Sequence, residues 1–255
     1  MSKKIAVANQ KGGVGKTTTT INLAACLAES GFKTLLVDMD PQCNACSGIG
    51  VERNVSDRAS LYDVLVDGEQ MSSITLPGPI DGLEIAPSDK KMAGAEVELV
   101  NRKSRDLILR NALDELDHQY DYIIIDCPPS LGILTINALS CADSVIVPLQ
   151  CEYYALEGIS ALLETIDLVR SSLNPGLSLE GVLLTMYDIR TNLSDQVAQE
   201  VRGFFRDQVF DVIIPRNVRL SEAPSYGLPI IQYDPGCKGS SAYRALAKEI
   251  TNSEA

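Results

Sequence analysis

Apolar residues in this chain fall into two alternating textures: short, β-branched runs, and longer stretches with apolar positions at helical spacing. Runs at 4–9, 33–40, 83–88, 120–128, 143–150, 180–188, 212–215 and 229–233 predict strands. Several are apolar on both faces, as strands covered on both sides by helices must be. Between them, 17–30, 105–119, 131–141, 153–172, 193–209 and 240–250 predict helices. The first of these ends at Gly31, a residue suited to terminating a helix in the left-handed conformation. In the second, Leu107, Ile108, Leu109, Ala112, Leu113 and Leu116 share one broad face, with charges opposite. The alternation predicts an α/β fold: a doubly wound, mostly parallel sheet flanked by helices on both faces. No Pro/Gly/Ser-rich linker, charge block or repeat interrupts it, so residues 1–255 are expected to form a single domain. Residues 51–79 are the least regular, with one short helical piece at 60–68, and are expected only to cover the sheet.

Composition changes this picture little. The 255 residues are 45% hydrophobic and 22% charged, which suits a globular chain with a sizeable core. No run of about 18 apolar residues could cross a bilayer. The opening MSKKIAVAN enters a strand with no signal-peptide apolar segment. Seven cysteines, several in apolar runs, read as small buried thiols and suggest a reducing cytoplasm. Cys43 and Cys46 form a C-x-x-C, but there is no second pair and His118, the chain's one histidine, lies in a charged stretch. They read as loop residues rather than zinc ligands. The net charge of −12 argues against nucleic acid as a bulk property. Its distribution says otherwise: residues 181–255 carry 8 Lys/Arg against 9 Asp/Glu, and five of the eight are arginines between 190 and 219. A local basic patch is therefore compatible with the acidic total.

The candidate chemistry lies at strand ends. KGGVGKTTTT, residues 11–20, follows the first predicted strand and opens the first predicted helix, the context a phosphate-binding loop needs. Gly12, Gly13 and Gly15, with Val14, let backbone N–H groups curl around phosphate oxygens, and the helix N-terminus adds partial positive charge. Lys16 is expected to reach the β- and γ-phosphates and the Thr17 hydroxyl to ligate Mg²⁺, with Thr18 beside them. The pattern departs from the standard loop at its front, where Gln10 replaces glycine and Lys11 adds a second lysine. Two further acidic strand ends converge on the loop. LLVDMDPQ supplies Asp38 and Asp40, placed for metal or water positioning, and YIIIDCPPS supplies Asp126, an acidic strand end facing a metal.

KGGVGKTT with Lys11 resembles the deviant Walker A motif, and DMDPQ and DCPPS resemble the switch signatures beside it. MYDIRTNLS (186–194) and IPRNVRLSEAPSYG (214–227) closely resemble the ParA/Soj partition ATPases, and the likeness runs nearly end to end. The resemblance implies ATP and Mg²⁺ as ligands and a sandwich homodimer in which Lys11 contacts the partner's ATP while Lys16 serves its own. Gly12 would stay small for the two loops to approach. It implies that Asp40 orients or activates the attacking water, that Asp126 holds Mg²⁺ through a water, and that Pro215 and Asn217 form the adenine pocket.

Four jobs remain open to such an ATPase. The first is a cytoplasmic DNA-segregation switch. Its ATP dimer binds double-stranded DNA non-specifically through Arg190, Arg216 and Arg219, associates with the nucleoid, and hydrolyses ATP when a ParB-type centromere-binding protein stimulates it. The second is a MinD-like membrane switch, which the polar, acidic C-terminus disfavours. The third is an iron–sulfur carrier or nitrogenase-reductase-like protein, whose cluster cysteines are not matched by the placement of Cys43, Cys46 and Cys127 inside the switch-like motifs. The fourth is a positioner of protein cargo. Because the first strand begins at about residue 4, neither a preceding helix-turn-helix nor operator-specific binding is expected.

Overall fold

The computed structural model describes residues 2–52, 58–116, 118–152 and 159–252. The first strand, β1 (Lys3–Val7), leads through the glycine-rich loop into α1 (Lys16–Glu29), and β2 (Thr34–Asp38) leads into the short α2 (Asn44–Gly48). A π-helical turn (Asp63–Asp67), α3 (Met71–Ile74) and β3 (Leu76–Pro77) precede β4 (Leu83–Ala86). Then come α4 (Met92–Glu98), α5 (Ile108–Asp114), β5 (Tyr122–Asp126), α6 (Ile133–Cys141) and β6 (Ser144–Gln150). They are followed by α7 (Ser160–Ser172), β7 (Ser178–Thr185) and α8 (Asn192–Phe205). The remainder is helical: α9 (Val218–Glu222), α10 (Ile230–Tyr233) and α11 (Lys238–Asn252).

The strands form one sheet in the order β3-β4-β2-β5-β1-β6-β7, parallel throughout except for the edge pair β3–β4. This is the doubly wound sheet expected from the sequence. Its register fixes the site, because Asp126 at the end of β5 stands opposite both Val7 of β1 and Asp38 of β2. Successive side chains leave opposite faces of a strand. Ile123 and Ile125 of β5 therefore join one core with Leu109, Leu113 and Leu134, while Ile124 joins another with Ile21, Leu27, Tyr243 and Leu246.

Three sequence expectations need correction. Residues 229–233, read as a strand, form α10: a five-residue apolar run does not distinguish strand from helix. Here Asn22 Oδ1 of α1 captures the Ile230 N–H at 2.7 Å, and Gln232 N and Tyr233 N donate to the Pro229 carbonyl. Residues 212–215 run beside the end of β7 with one isolated bridge, Tyr187 to Pro215, not a ladder; Ile214 N donates to Leu184 O and Tyr187 N to Ile214 O. The helix expected over 105–119 is a 3₁₀ turn at Arg105–Leu107 followed by the shorter α5. Of the helix expected over 153–172, residues 153–158 lie outside the described residues, and α7 occupies the rest. The strand β3 was not foreseen; two residues including a proline carry no periodic signal, and proline is tolerated at an edge.

One close approach ties the base of the site together. Gly227 has φ +66°, and a Cβ there would lie 2.7 Å from the Gly50 Cα. Gly227→Ala combines a left-handed backbone with a backbone clash, so a loss of about 2–4 kcal/mol is expected, measured as a lower urea midpoint. An unchanged midpoint would contradict the packing described.

Candidate nucleotide site

The loop between β1 and α1 is held from both sides. Asn9 Nδ2 donates to the Pro148 carbonyl of β6 at 2.8 Å, and its Oδ1 accepts the Lys11 N–H at 3.0 Å. On the far side Thr185 Oγ1, at the end of β7, donates to the Val14 carbonyl at 2.8 Å. Gly13 and Gly15 have φ of +76° and +90°, which L side chains rarely adopt, so these two glycines are required by the backbone itself. Gly12 has no such demand, and a Cβ there would meet nothing within 4 Å among the described residues.

The threonine run that follows divides its work along α1. Thr20 Oγ1 lies 2.8 Å from the Lys16 carbonyl and 3.0 Å from Asp126 Oδ1, holding the strand-end carboxylate against the helix. Thr19 Oγ1 pairs with the buried Tyr243 hydroxyl of α11 at 3.2 Å. The Thr18 carbonyl accepts Asn22 Nδ2 at 2.8 Å, and Asn22 in turn anchors α10. Sequence reasoning gave no role to Thr19, Thr20, Asn22, Thr185 or Tyr243; the contacts that give them one span 106 to 224 residues, except those within α1.

The two lysines differ. Lys16 is buried and donates Nζ to the Lys11 carbonyl at 3.0 Å. Burial lowers its pKa, opposed first by the carboxylate of Asp126 and more weakly by Cys127 and Asp40. The Lys11 side chain is half-buried, and its ammonium has no ion-pair or hydrogen-bond partner among the described residues.

The carboxylates also separate. Asp38 is fully buried: Oδ1 accepts the Asp40 N–H at 3.1 Å, and Oδ2 accepts both the N–H and the thiol of Cys46 at 3.0 Å. Its bonds place it as an anchor of the loop carrying Asp40. Burial raises its pKa to about 6 against the pull of those donors. Burial likewise pushes the Cys46 thiol up, with Asp38 adding to it, so that sulfur is a hydrogen-bond donor here and a poor thiolate. Asp40 accepts the Gln42 N–H at 2.9 Å and lines a cavity of about 300 Å³ with Gly12, Gly13, Lys16, Thr17 and Thr18. At Asp126, Oδ1 is taken by Thr20, while the buried Oδ2 has no hydrogen-bond partner among the described residues. Burial and then Asp38 raise this carboxyl, with the Thr17 and Thr20 hydroxyls acting the other way. A buried, unsatisfied carboxylate oxygen next to a threonine hydroxyl fits a hydrated divalent cation, which needs only one or two protein ligands.

A second cavity of about 400 Å³ adjoins the first, sharing Gly15, Thr18 and Met186. Pro215, Asn217, Val218, Leu220 and Tyr243 help line it. Its apolar walls beside a phosphate-sized recess suit a flat base. Arg216 lines this second cavity, Arg219 lies one turn further in α9, and Arg190 is on the loop after β7. A larger cavity, about 630 Å³, opens near Lys33, Gly82 and Tyr120 at the opposite ends of the strands, away from every glycine of the loop.

Known proteins resemble this chain in sequence and in fold. A family model described as an AAA domain matches residues 2–179. The sporulation initiation inhibitor protein Soj of Bacillus subtilis (strain 168) is 56% identical over 250 residues, covering 98% of each chain. The chain belongs to the Soj/ParA family. The chromosome partitioning protein ParA of Myxococcus xanthus is 56% identical over 246 residues, 96% of this chain and 87% of that one. Among solved structures, cobyrinic acid a,c-diamide synthase from Mycobacterium smegmatis with bound ADP and magnesium superposes with a TM-score of 0.86 at 39% identity, covering 97% of this chain and 93% of that one. This Soj/ParA-family chain is an ATPase, as its loop and strand-end carboxylates imply.

Two alternatives from the sequence meet the geometry here. Among the described residues no helix is long and apolar enough to cross a membrane. The apolar side of α11, with Tyr243, Leu246 and Ile250, is buried in the core rather than presented to a surface. Cys43 and Cys46 are both buried, and the Cys46 thiol is engaged by Asp38.

Proposed function

We propose that this ATPase is a switch for DNA segregation. Its ATP-bound form is a sandwich dimer that binds double-stranded DNA without sequence preference, and a ParB-type partner stimulates hydrolysis and release. The observation carrying this reading is that one segment serves two ends. Pro215 and Asn217 line the base cavity, and Asn217 Oδ1 caps α9 by accepting the Arg219 N–H at 2.9 Å. A base in that cavity therefore bears on the helix that carries an exposed arginine. The relatives named for chromosome partitioning support the same reading.

In this mechanism the backbone N–H groups of residues 12–17 enclose the phosphates and Lys16 leaves the Lys11 carbonyl for the β- and γ-oxygens. Asp40 orients the attacking water. Thr17, and Asp126 through a water, would hold Mg²⁺, which when bound supplies charge compensation across the β- and γ-phosphates. Lys11, whose ammonium has no partner among the described residues, neutralises the partner's ATP, and the open space over Gly12 admits that partner's loop. Burying a cation against phosphate at a closing interface makes ATP binding and dimerisation linked events. Residues 1–255 act as one unit in this scheme, with Arg190, Arg216 and Arg219 contacting phosphates from both subunits.

The test is binding to a random-sequence duplex without nucleotide, with ADP, and with ATP plus Mg²⁺, at two salt concentrations. Binding that requires ATP is expected, and neutralising six or more phosphates would lower affinity at least about a thousandfold between 50 and 200 mM salt. Absence of binding in every condition would move the reading to an ATPase that positions protein cargo.

A further inference from the structure

Each arginine assigned above to DNA is already held by a carboxylate in the free chain. Arg190 is exposed, yet its guanidinium grips Asp188 with two bonds, Nε to Oδ1 at 2.8 Å and Nη2 to Oδ2 at 2.6 Å. Arg219 donates Nη1 to Glu222 Oε2 at 2.9 Å and lies 3.5 Å from Asp234, while the Tyr233 hydroxyl donates to the same Glu222 oxygen. Arg216 faces Glu152 at 3.5 Å.

The planar guanidinium fork fits carboxylate and phosphate by the same two-pronged geometry. Asp188 thus takes the very face of Arg190 that a DNA phosphate needs. A carboxylate displaced from that fork stays nearby and repels the incoming phosphate. Asp188 is well suited to persist there: Arg190 holds its carboxyl far below the usual range, and Oδ1 also accepts the Arg190 N–H at 3.1 Å. The pair lies next to the nucleotide site, because Met186, two residues before Asp188, lines both cavities, and Arg216 N donates to the Tyr187 carbonyl at 2.8 Å.

We propose that Asp188 and Glu222 are built-in competitors for DNA phosphate, occupying Arg190 and Arg219 and setting how much binding energy the assembled form must gather before it holds DNA. The inference rests on the DNA reading given above and adds its regulation. Exposed ion pairs are individually weak, so each competitor sets a graded threshold. Arginines masked in this way bind DNA poorly as a monomer's set and adequately when a dimer doubles their number. The arrangement also accounts for an acidic chain using so few cations without holding DNA in every nucleotide state.

The decisive variants are Asp188→Asn and Glu222→Gln, which keep an acceptor oxygen for the Arg190 N–H and the Tyr233 hydroxyl but remove the charge. Dissociation constants for a random-sequence duplex are measured with ADP and with ATP plus Mg²⁺, for the full chain. Each variant is expected to bind about two- to fivefold more tightly than wild type at low salt, with the gain shrinking as salt rises. Asp188→Asn is also made on an Arg190→Ala background. There the gain must vanish if Asp188 acts by occupying Arg190, whereas a long-range charge effect would persist. Unchanged affinity in both variants, or a gain that survives Arg190→Ala, overturns the proposal while leaving DNA binding by the wild type intact. No binding by wild type or any variant removes the DNA reading and the competitors with it.

Discussion

Lys16→Ala is expected to reduce kcat/KM for ATP by at least about a thousandfold, the scale of removing a positioned charge from a phosphoryl-transfer site. The geometry gives three reasons for so large an effect. Lys16 is buried and interacts electrostatically with Asp126, so its removal takes a cation away from a carboxyl group held in low dielectric. It also removes the bond to the Lys11 carbonyl that helps organise the loop. Third, no other ammonium is tethered inside this cavity among the described residues that line it. Fluorescent-nucleotide titration and steady-state hydrolysis would read the two components. Lys11→Ala is the informative contrast. Its ammonium has no partner among the described residues, so nucleotide affinity of the monomer is expected to change less than about threefold while ATP-dependent dimerisation is lost. Equal losses of monomer affinity in the two variants would contradict the division of labour between the lysines.

The second large effect is expected at Asp40. Asp40→Ala would lower single-turnover hydrolysis by about a hundred- to ten-thousandfold, the contribution of a positioned proton acceptor, with ATP affinity retained within about threefold. Binding survives because the loop is anchored by another residue: Asp38 holds the Asp40 N–H and both donors of Cys46. Asp40→Ala therefore removes one side chain from the phosphate cavity and its bond to Gln42, not the loop. Asp38→Ala is expected to behave differently, lowering stability along with hydrolysis, since it strips a buried anchor. Hydrolysis at the wild-type rate in Asp40→Ala would remove Asp40 from the mechanism, whatever its position.

Some of this was legible without coordinates because it depends on local chemistry. A glycine-rich turn closing on a lysine and a threonine, between a predicted strand and a predicted helix, reads as a phosphate loop, and the structure then shows positive φ at Gly13 and Gly15. The alternation of β-branched runs with helical spacing determined the doubly wound sheet, because burial on both faces leaves a strand no polar position. The acidic strand ends Asp38, Asp40 and Asp126 were visible for the same reason: a carboxylate closing an apolar run needs an explanation.

Other features were decided only by tertiary structure. Whether PIIQY is strand or helix depended on Asn22, more than 200 residues earlier, reaching the Ile230 N–H. Asp38 and Asp40 have the same local context, yet a thiol and two N–H groups make one an anchor and leave the other in the cavity. The C-x-x-C carried no information about Cys46 donating to Asp38. Likewise the arginines at 190 and 219 were apparent as cations, while their occupation by Asp188 and Glu222 depends on rotamers that a sequence does not state. Periodicity and backbone preference are properties of neighbouring residues, and they wrote the fold and the loop. Partner choice among buried and charged groups is set by which distant atoms the packed sheet brings within 3 Å, and that was fixed only when the chain closed.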